Sequence, residues 1–315
     1  MVRAPLFFQL SARFSTHLQS QFIIKEILMI HIIADTTSCI PPEVAKQQGI
    51  DYIPQIIVFG EETYRDDTEM NSETFLKRMQ ASANLPKTAA PPPSLYTPIY
   101  KEKSNNGDTI IVICPPQNLS GTSRSADVAA KDFPDADIRI IDTKIIAGGL
   151  GAVVLQAKKW VDEGLDADTI VSKIEEMSQR HRVYFVVDTL ENLFKGGRIG
   201  AARALFGSLL QVKPILTITD GIIGSYDSQR TRKRAIARLK EIVLKDCPAG
   251  PSSHLCVMHG GAEDQALQLV SEFSATFDIP ENEIPVYYLP PAILVHAGPG
   301  IVGVSYFTSP QNIED

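Results

Sequence analysis

The chain has 315 residues, 44% hydrophobic and 21% charged, the proportions of an ordinary soluble globular protein large enough for about two domains. Its 20 glycines and 21 prolines are too few for collagen or a low-complexity chain, and no run approaches the ~18 apolar residues of a membrane span. A formal charge of −7 lacks the basic footprint of a nucleic-acid binder.

Residues 1–28 hold one acid, Glu26, against Arg3, Arg13 and Lys25, with no continuous apolar segment of a signal peptide. They read as a non-domain extension before a domain that begins at Met29. From there strand and helix alternate, which predicts a parallel α/β sheet. A strand over 30–34 ends at Asp35-Thr36-Thr37-Ser38, a helix runs from Pro41 to a stop at Gly49, and one strand is expected over 50–59. Asn71 starts a helix through about Met79. The segment Pro86-Lys87-Thr88-Ala89-Ala90-Pro91-Pro92-Pro93 is too proline-rich for either element. A helix over 94–103, a strand over 109–114, a helix over 123–131 and a strand over 138–142 follow. Helices over 146–163 and 167–180 close the first half.

The second half is predicted to open with a strand over 183–187, then a turn at Lys195-Gly196-Gly197-Arg198 and a helix over 199–210. Asp220-Gly221 joins strands over 213–219 and 222–226 as a hairpin. Helices over 231–245 and 262–276 flank a strand over 254–258. Strands over 286–289 and 302–307 enclose a loop with His296. The fold class is therefore α/β with two domains: an N-terminal, mainly parallel α/β sheet domain over 29–180, and a C-terminal α+β domain with a mixed sheet over 181–315.

The four cysteines, Cys39, Cys114, Cys247 and Cys256, are scattered and form no C-x-x-C pair, which argues against a disulfide framework. Cys114 and Cys256 fall in buried-looking strands, as thiols of a reducing cytosol do, so a cytoplasmic protein is expected. No phosphate-binding G-x-x-x-x-G-K-S/T, no G-x-G-x-x-G after the first strand, no H-E-x-x-H and no G-x-S-x-G is present. Six histidines without paired spacing make no metal site. What remains is polar: loops at Asp35–Ser38, Thr88–Pro93 and Ser120–Thr122 occupy the carboxyl ends of strands, where α/β sheets bind ligands. Ser120 is placed as a helix cap, and the following N–H groups suit a carboxylate or phosphate, although serine and threonine cap helices in any protein. His296-Ala297-Gly298-Pro299-Gly300 sets an imidazole beside a turn, and Arg230-Thr231-Arg232-Lys233-Arg234 opens a helix on a basic note.

In order along the chain, these pieces resemble the DegV family of fatty-acid-binding proteins. They are Ile33-Ala34-Asp35-Thr36-Thr37, Lys87-Thr88, Ser120-Gly121-Thr122-Ser123-Arg124-Ser125-Ala126, Leu193-Phe194-Lys195-Gly196-Gly197-Arg198-Ile199, Lys213-Pro214-Ile215-Leu216, Arg230-Thr231-Arg232-Lys233-Arg234-Ala235 and His296-Ala297-Gly298-Pro299-Gly300.

The resemblance implies a bacterial carrier rather than an enzyme. It would clasp one long-chain fatty acid between two domains, with no cofactor and no catalytic residue. It would present the acid to the kinase subunit of a fatty acid kinase, which forms the acyl phosphate with ATP. Carried over residue by residue, Thr88, Ser120 and His296 hold the carboxylate, while Gly121, Arg198 and Arg230 lie near the head group or face the partner. The family's Thr-Ser-Gln-Pro-Ser loop is here Thr88-Ala89-Ala90-Pro91-Pro92, which removes both serines and the glutamine from the donor set. Burying ~14 methylenes at ~0.8 kcal/mol each would contribute roughly 11 kcal/mol before ordering and association costs, so the tail supplies affinity and the head group orientation. Ala201, Ala204, Leu205, Phe206 and Leu209 of the helix over 199–210 are the candidate apolar wall. The alternative reading of the same loops is a small-molecule phosphotransferase that uses Ser-Gly-Thr as an anion cradle, with Asp35 and Asp142 at strand ends in its support.

Overall fold

The structure, a computed structural model, describes residues 29–104, 107–205 and 212–310. The first half carries β1 (Ile30–Asp35), β2 (Asp51–Ile53), β3 (Ile56–Phe59), β4 (Glu62–Arg65), β5 (Lys87–Ala89), β6 (Thr109–Cys114) and β7 (Asp137–Asp142). Strands β2-β1-β6-β7 form one all-parallel sheet. Its apolar runs, such as Ile110–Ile113, are buried on both faces, as parallel strands between helices require. Helices Gly148–Asp162 and Ala167–Gln179 cover one face, and Thr97–Ser104 and Thr122–Ala130 the other.

The expected single strand over 50–59 is two. Pro54 offers no N–H to a ladder, so β2 ends at Ile53 and the chain leaves the parallel sheet. The separate antiparallel sheet β4-β3-β5 was not foreseen. In it Lys87–Ala89, placed outside both elements by its prolines, becomes an edge strand paired to β3, with Thr88 opposite Ile57. The flanking prolines fall outside the paired residues, which is what an edge allows.

The second half carries β8 (His181–Val186), β9 (Lys213–Thr219), β10 (Ile222–Gln229), β11 (Cys256–His259), β12 (Val286–Tyr288) and β13 (Val302–Phe307). They form one mixed sheet, β10-β9-β8-β13-β11-β12, parallel only between β11 and β12. Asp220 and Gly221 both have positive φ, 50° and 74°, as the two-residue hairpin between β9 and β10 demands. Helices Arg232–Asp246 and Glu263–Phe277 cover one face. The other face is shared with the first half: Ile57 and helix Ser72–Ala81 pack into the same core as Val183, Phe185 and Leu294. All four cysteines are free thiols. Among the described residues no helix is long and apolar enough to cross a membrane.

The extension over 1–28 lies outside the described residues. Described structure starts with Met29, whose N–H donates to Asp108 Oδ1 at 2.9 Å, one residue before β1. A protein shortened to start at Met29 is therefore expected to melt at the full-length temperature. A clear drop in that temperature by calorimetry would show that residues 1–28 belong to the domain.

Candidate functional site

The order β2-β1-β6-β7 reverses direction between β1 and β6, so a crevice opens at their carboxyl ends. Asp35 ends β1, and Ser120 and Thr122 follow β6. Asp35 accepts from Thr37 N–H at 2.9 Å and caps the short turn Thr36–Ser38. Ser120 stands one residue before the cap: helix Thr122–Ala130 begins after Gly121, without a side-chain cap. Ser120 Oγ accepts from Thr122 N–H at 3.3 Å.

His296 comes from the other half. The expected loop is a helix, Pro291–Ala297, with Pro291 in its first turn and His296 in its last. Its Nε2 lies 2.9 Å from Thr88 Oγ1, across 208 residues of chain. A Cβ on Gly196 would overlap His296 Nδ1, so the glycine at 196 is what lets the imidazole sit there. Burial, and then the Arg198 charge, push the His296 pKa down to about 4. The imidazole is neutral at pH 7 and works as a hydrogen-bonding group for Thr88, not as a cation.

Arg198 Nε donates to the Leu119 carbonyl at 3.1 Å, and a terminal nitrogen donates to the Gly196 carbonyl at 2.7 Å. It therefore ties the loop before Ser120 to the turn behind His296. A Cβ on Gly121 would stand 3.1 Å from Ala90 Cβ, so the Thr88 and Ser120 segments touch through small residues.

One cavity joins these parts. Thr88, Ser120, Gly121, Arg198 and His296 all line it. Its volume is only about 110 Å³, below the ~300–1,000 Å³ of typical small-molecule pockets. The cavity is therefore narrow, and its remaining walls are mostly apolar.

Those walls are not the ones expected. Ala201 and Ala204 are exposed, in a 3-10 helix over Gly200–Leu205, and Leu205 packs against the shared core. Phe206 and Leu209 lie outside the described residues. The mixed sheet supplies Val183, Phe185, Met258 and Gly303 instead, with Ile146 and Leu289. The alternating pattern of those strands shows which side chains share a face, but not that two halves of the chain close over it.

Arg230 does not line the cavity and is exposed. Arg232 is different from its neighbours: it donates to Asp188 Oδ1 at 2.7 Å, to Gln265 Oε1 at 2.7 Å and to the Gly300 carbonyl, holding the loop after His296. Asp142 does not line the cavity and pairs with Lys144. No group of three His, Cys, Asp or Glu among the described residues could hold a metal ion.

Sequence reasoning missed Gln55, Asp66 and the linkage they make. Gln55 Nε2 donates to Asp35 Oδ2 at 2.6 Å and to Thr122 Oγ1 at 2.8 Å. Its backbone N–H donates to Asp66 Oδ1 at 2.8 Å, which also accepts from Thr36 Oγ1 at 2.7 Å. Burial pushes the Asp66 pKa up to about 7. The one available signal was Pro54, whose break in the strand turns Gln55 into the crevice.

Comparison with known proteins gives the same arrangement a context. Protein DegV of Bacillus subtilis (strain 168) is 34% identical over 278 residues, covering 88% of this chain and 98% of that protein. The structure of a DegV family protein from Thermus thermophilus, described for its fatty acid binding, has a TM-score of 0.82 at 29% identity, covering 90% of this chain and all of that one. The structure of DegV from Bacillus subtilis, described as a fatty acid binding protein, has a TM-score of 0.79 at 32% identity with the same coverage. The family model described as "Uncharacterised protein, DegV family" matches residues 29–309, a span that takes in all three sheets, the cavity and every residue that lines it: the chain belongs to the DegV family.

Proposed function

We propose that this protein binds one long-chain fatty acid between its two halves and presents the carboxylate to a separate ATP-dependent kinase, which forms the acyl phosphate. The domains are taken as 29–180 and 181–315, because every strand of the all-parallel sheet precedes His181 and the mixed sheet starts with it. The observation that carries the reading is the cavity: narrow, largely apolar, and lined by Thr88, Ser120 and His296 from both halves. An unbranched acyl chain suits such a slot, and the hydroxyls of Thr88 and Ser120 are donors for an acceptor-only carboxylate. With His296 Nε2 donating to Thr88 Oγ1, the Thr88 proton is left for the ligand.

Native mass spectrometry of the purified protein tests the reading. A co-purified acyl chain supports the carrier. ATP turnover by the protein alone, without a bound acyl chain, would favour a phosphotransferase.

The basic helix start gives the kinase a place to dock. Arg230, Lys233 and Arg234 are exposed, whereas Arg232 is committed to the loop at Gly300. Reversing the charge of the three exposed residues is expected to lower coupled acyl-phosphate formation while fatty-acid binding persists. The deficit should shrink as salt rises, because exposed charges are screened over ~10 Å at 0.1 M. Unchanged coupled activity would make the run a solvated face.

A further inference from the structure

From Ser120 the cavity wall continues inward as a chain of hydrogen bonds to a carboxyl group that solvent does not reach. Ser120 Oγ lies 2.8 Å from Thr122 Oγ1, and Thr122 Oγ1 lies 2.7 Å from Asp35 Oδ2. Gln55 Nε2 donates to both Thr122 and Asp35. Asp35 is 1% exposed, and its other oxygen accepts from the Thr37 N–H and hydroxyl.

Counting protons along this chain decides what it can offer an anion. With Asp35 ionised, Thr122 gives its single proton to Oδ2 and turns only lone pairs toward Ser120. The Ser120 proton fills that contact. A carboxylate at Ser120 then has to draw that proton away, leaving two oxygens facing each other across 2.8 Å. With Asp35 protonated, its O–H points to Thr122, the Thr122 O–H points to Ser120, and the Ser120 O–H is left for the ligand. The contacts from Gln55 are satisfied in both arrangements. Two negative charges close together in a buried site also disfavour each other's ionised forms.

We propose that loading a carboxylate onto Ser120 is coupled to uptake of one proton by Asp35, which acts through Thr122 as a positioning residue. This rests on the head-group reading above. The proton comes from solvent and resides on Asp35 Oδ2, the Thr122 and Ser120 hydroxyls only rotate, and no other bond changes. The titratable groups around Asp35 are Asp66, Tyr52, Tyr96, Cys39 and Cys114, none of them a cation that would hold it ionised. Burial raises the Asp35 pKa above the ordinary carboxylate value. Beyond Ser120 the cavity is faced by neutral His296 and by Arg198, which is tied to two carbonyls.

Calorimetric titration with dodecanoate and with dodecanamide, in two buffers of different protonation enthalpy, reads affinity and proton uptake together. From about pH 6 to about pH 8 the free acid is ionised. The wild type is expected to take up close to one proton with dodecanoate and none with dodecanamide. Its affinity for the acid should then fall by up to about tenfold per pH unit. In Asp35→Asn no carboxyl is left at the end of the relay, so uptake disappears. The Thr37 N–H, which cannot reverse, turns the amide nitrogen toward Thr122 and Gln55 Nε2, donor against donor, so some affinity for dodecanoate is expected to be lost as well. No uptake in a wild type that prefers the acid, or uptake that persists in Asp35→Asn and so belongs to His296 or Asp66, overturns the proposal. Should Asp35→Asn not fold, Thr122→Val cuts the relay and is expected to bind dodecanoate without uptake; undiminished uptake again overturns it. A wild type that binds dodecanoate no better than dodecanamide is a separate outcome, and refutes the head-group reading itself.

Discussion

Replacing Ser120 or His296 with alanine is expected to weaken fatty-acid retention about ten- to a hundredfold without abolishing it. For Ser120 that is the range set by losing one hydrogen bond to a charged group; for His296 the loss is indirect, through a Thr88 hydroxyl no longer oriented toward the ligand. The tail, at roughly 11 kcal/mol gross, retains the ligand in both variants. On the proposed carrier reading transfer should suffer more than retention, because phosphorylation by a kinase would need the carboxylate in one orientation and Ala89, Ala90 and Pro92 offer no side-chain donor in its place. The His296 variant also leaves Thr88 Oγ1 without its 2.9 Å partner, so Thr88→Val should add little to it. Bound acid and coupled acyl-phosphate formation are the two measurements. Wild-type values for both in either variant would put the head group elsewhere in the molecule.

Gly151→Ala is expected to lower the melting temperature by roughly 2–12 °C, the result of an overpacking cost of about 1–3 kcal/mol in a domain of this size. Gly151 sits in the first turn of helix Gly148–Asp162, and a Cβ there would overlap the Ser38 carbonyl oxygen. That neighbour is backbone and has little room to yield. The same turn is tied to the helix start by Ala147 N–H donating to the Thr37 carbonyl at 2.8 Å. Because Thr37 also bonds Asp35, the strain should reach the crevice, and fatty-acid retention should fall together with stability. A variant melting at the wild-type temperature would mean that helix and turn can move apart, and that the close approach at Gly151 is not required.

Much of the fold follows from patterns that are local in the chain. The run Ile110–Ile113 is apolar and β-branched at every position, which suits a strand covered on both faces. Asn71 and Asp166 accept from the N–H groups of Thr74 and Thr169, each at 2.9 Å, and start their helices where capping residues should. Asp220-Gly221 makes its hairpin because both positions take positive φ. The site residues were legible for a different reason: Thr88, Ser120, Gly121, Arg198 and His296 stand in short motifs that resemble one family in one order, and all five line one cavity.

What the sequence could not determine is everything that depends on two distant segments meeting. The edge strand Lys87–Ala89 exists only because β3 offers it a ladder, which overrides the prolines around it. Helix Pro291–Ala297 is seven residues long, too short to be stable by its own propensity, and forms because Leu294 and Val295 are buried in the shared core. The apolar wall passed from the helix over 199–210 to the mixed sheet, since amphipathic spacing marks a buried face without saying what it faces. Asp35 and Gln55 carry no motif that pairs them, being 20 residues apart on either side of a strand break. Alternation of strand and helix marked the two larger sheets, and short motifs marked the separate segments of the site. Only tertiary structure, by bringing the ends of β1 and β6 against Thr88 and His296, decided that those segments make one buried, hydrogen-bonded pocket.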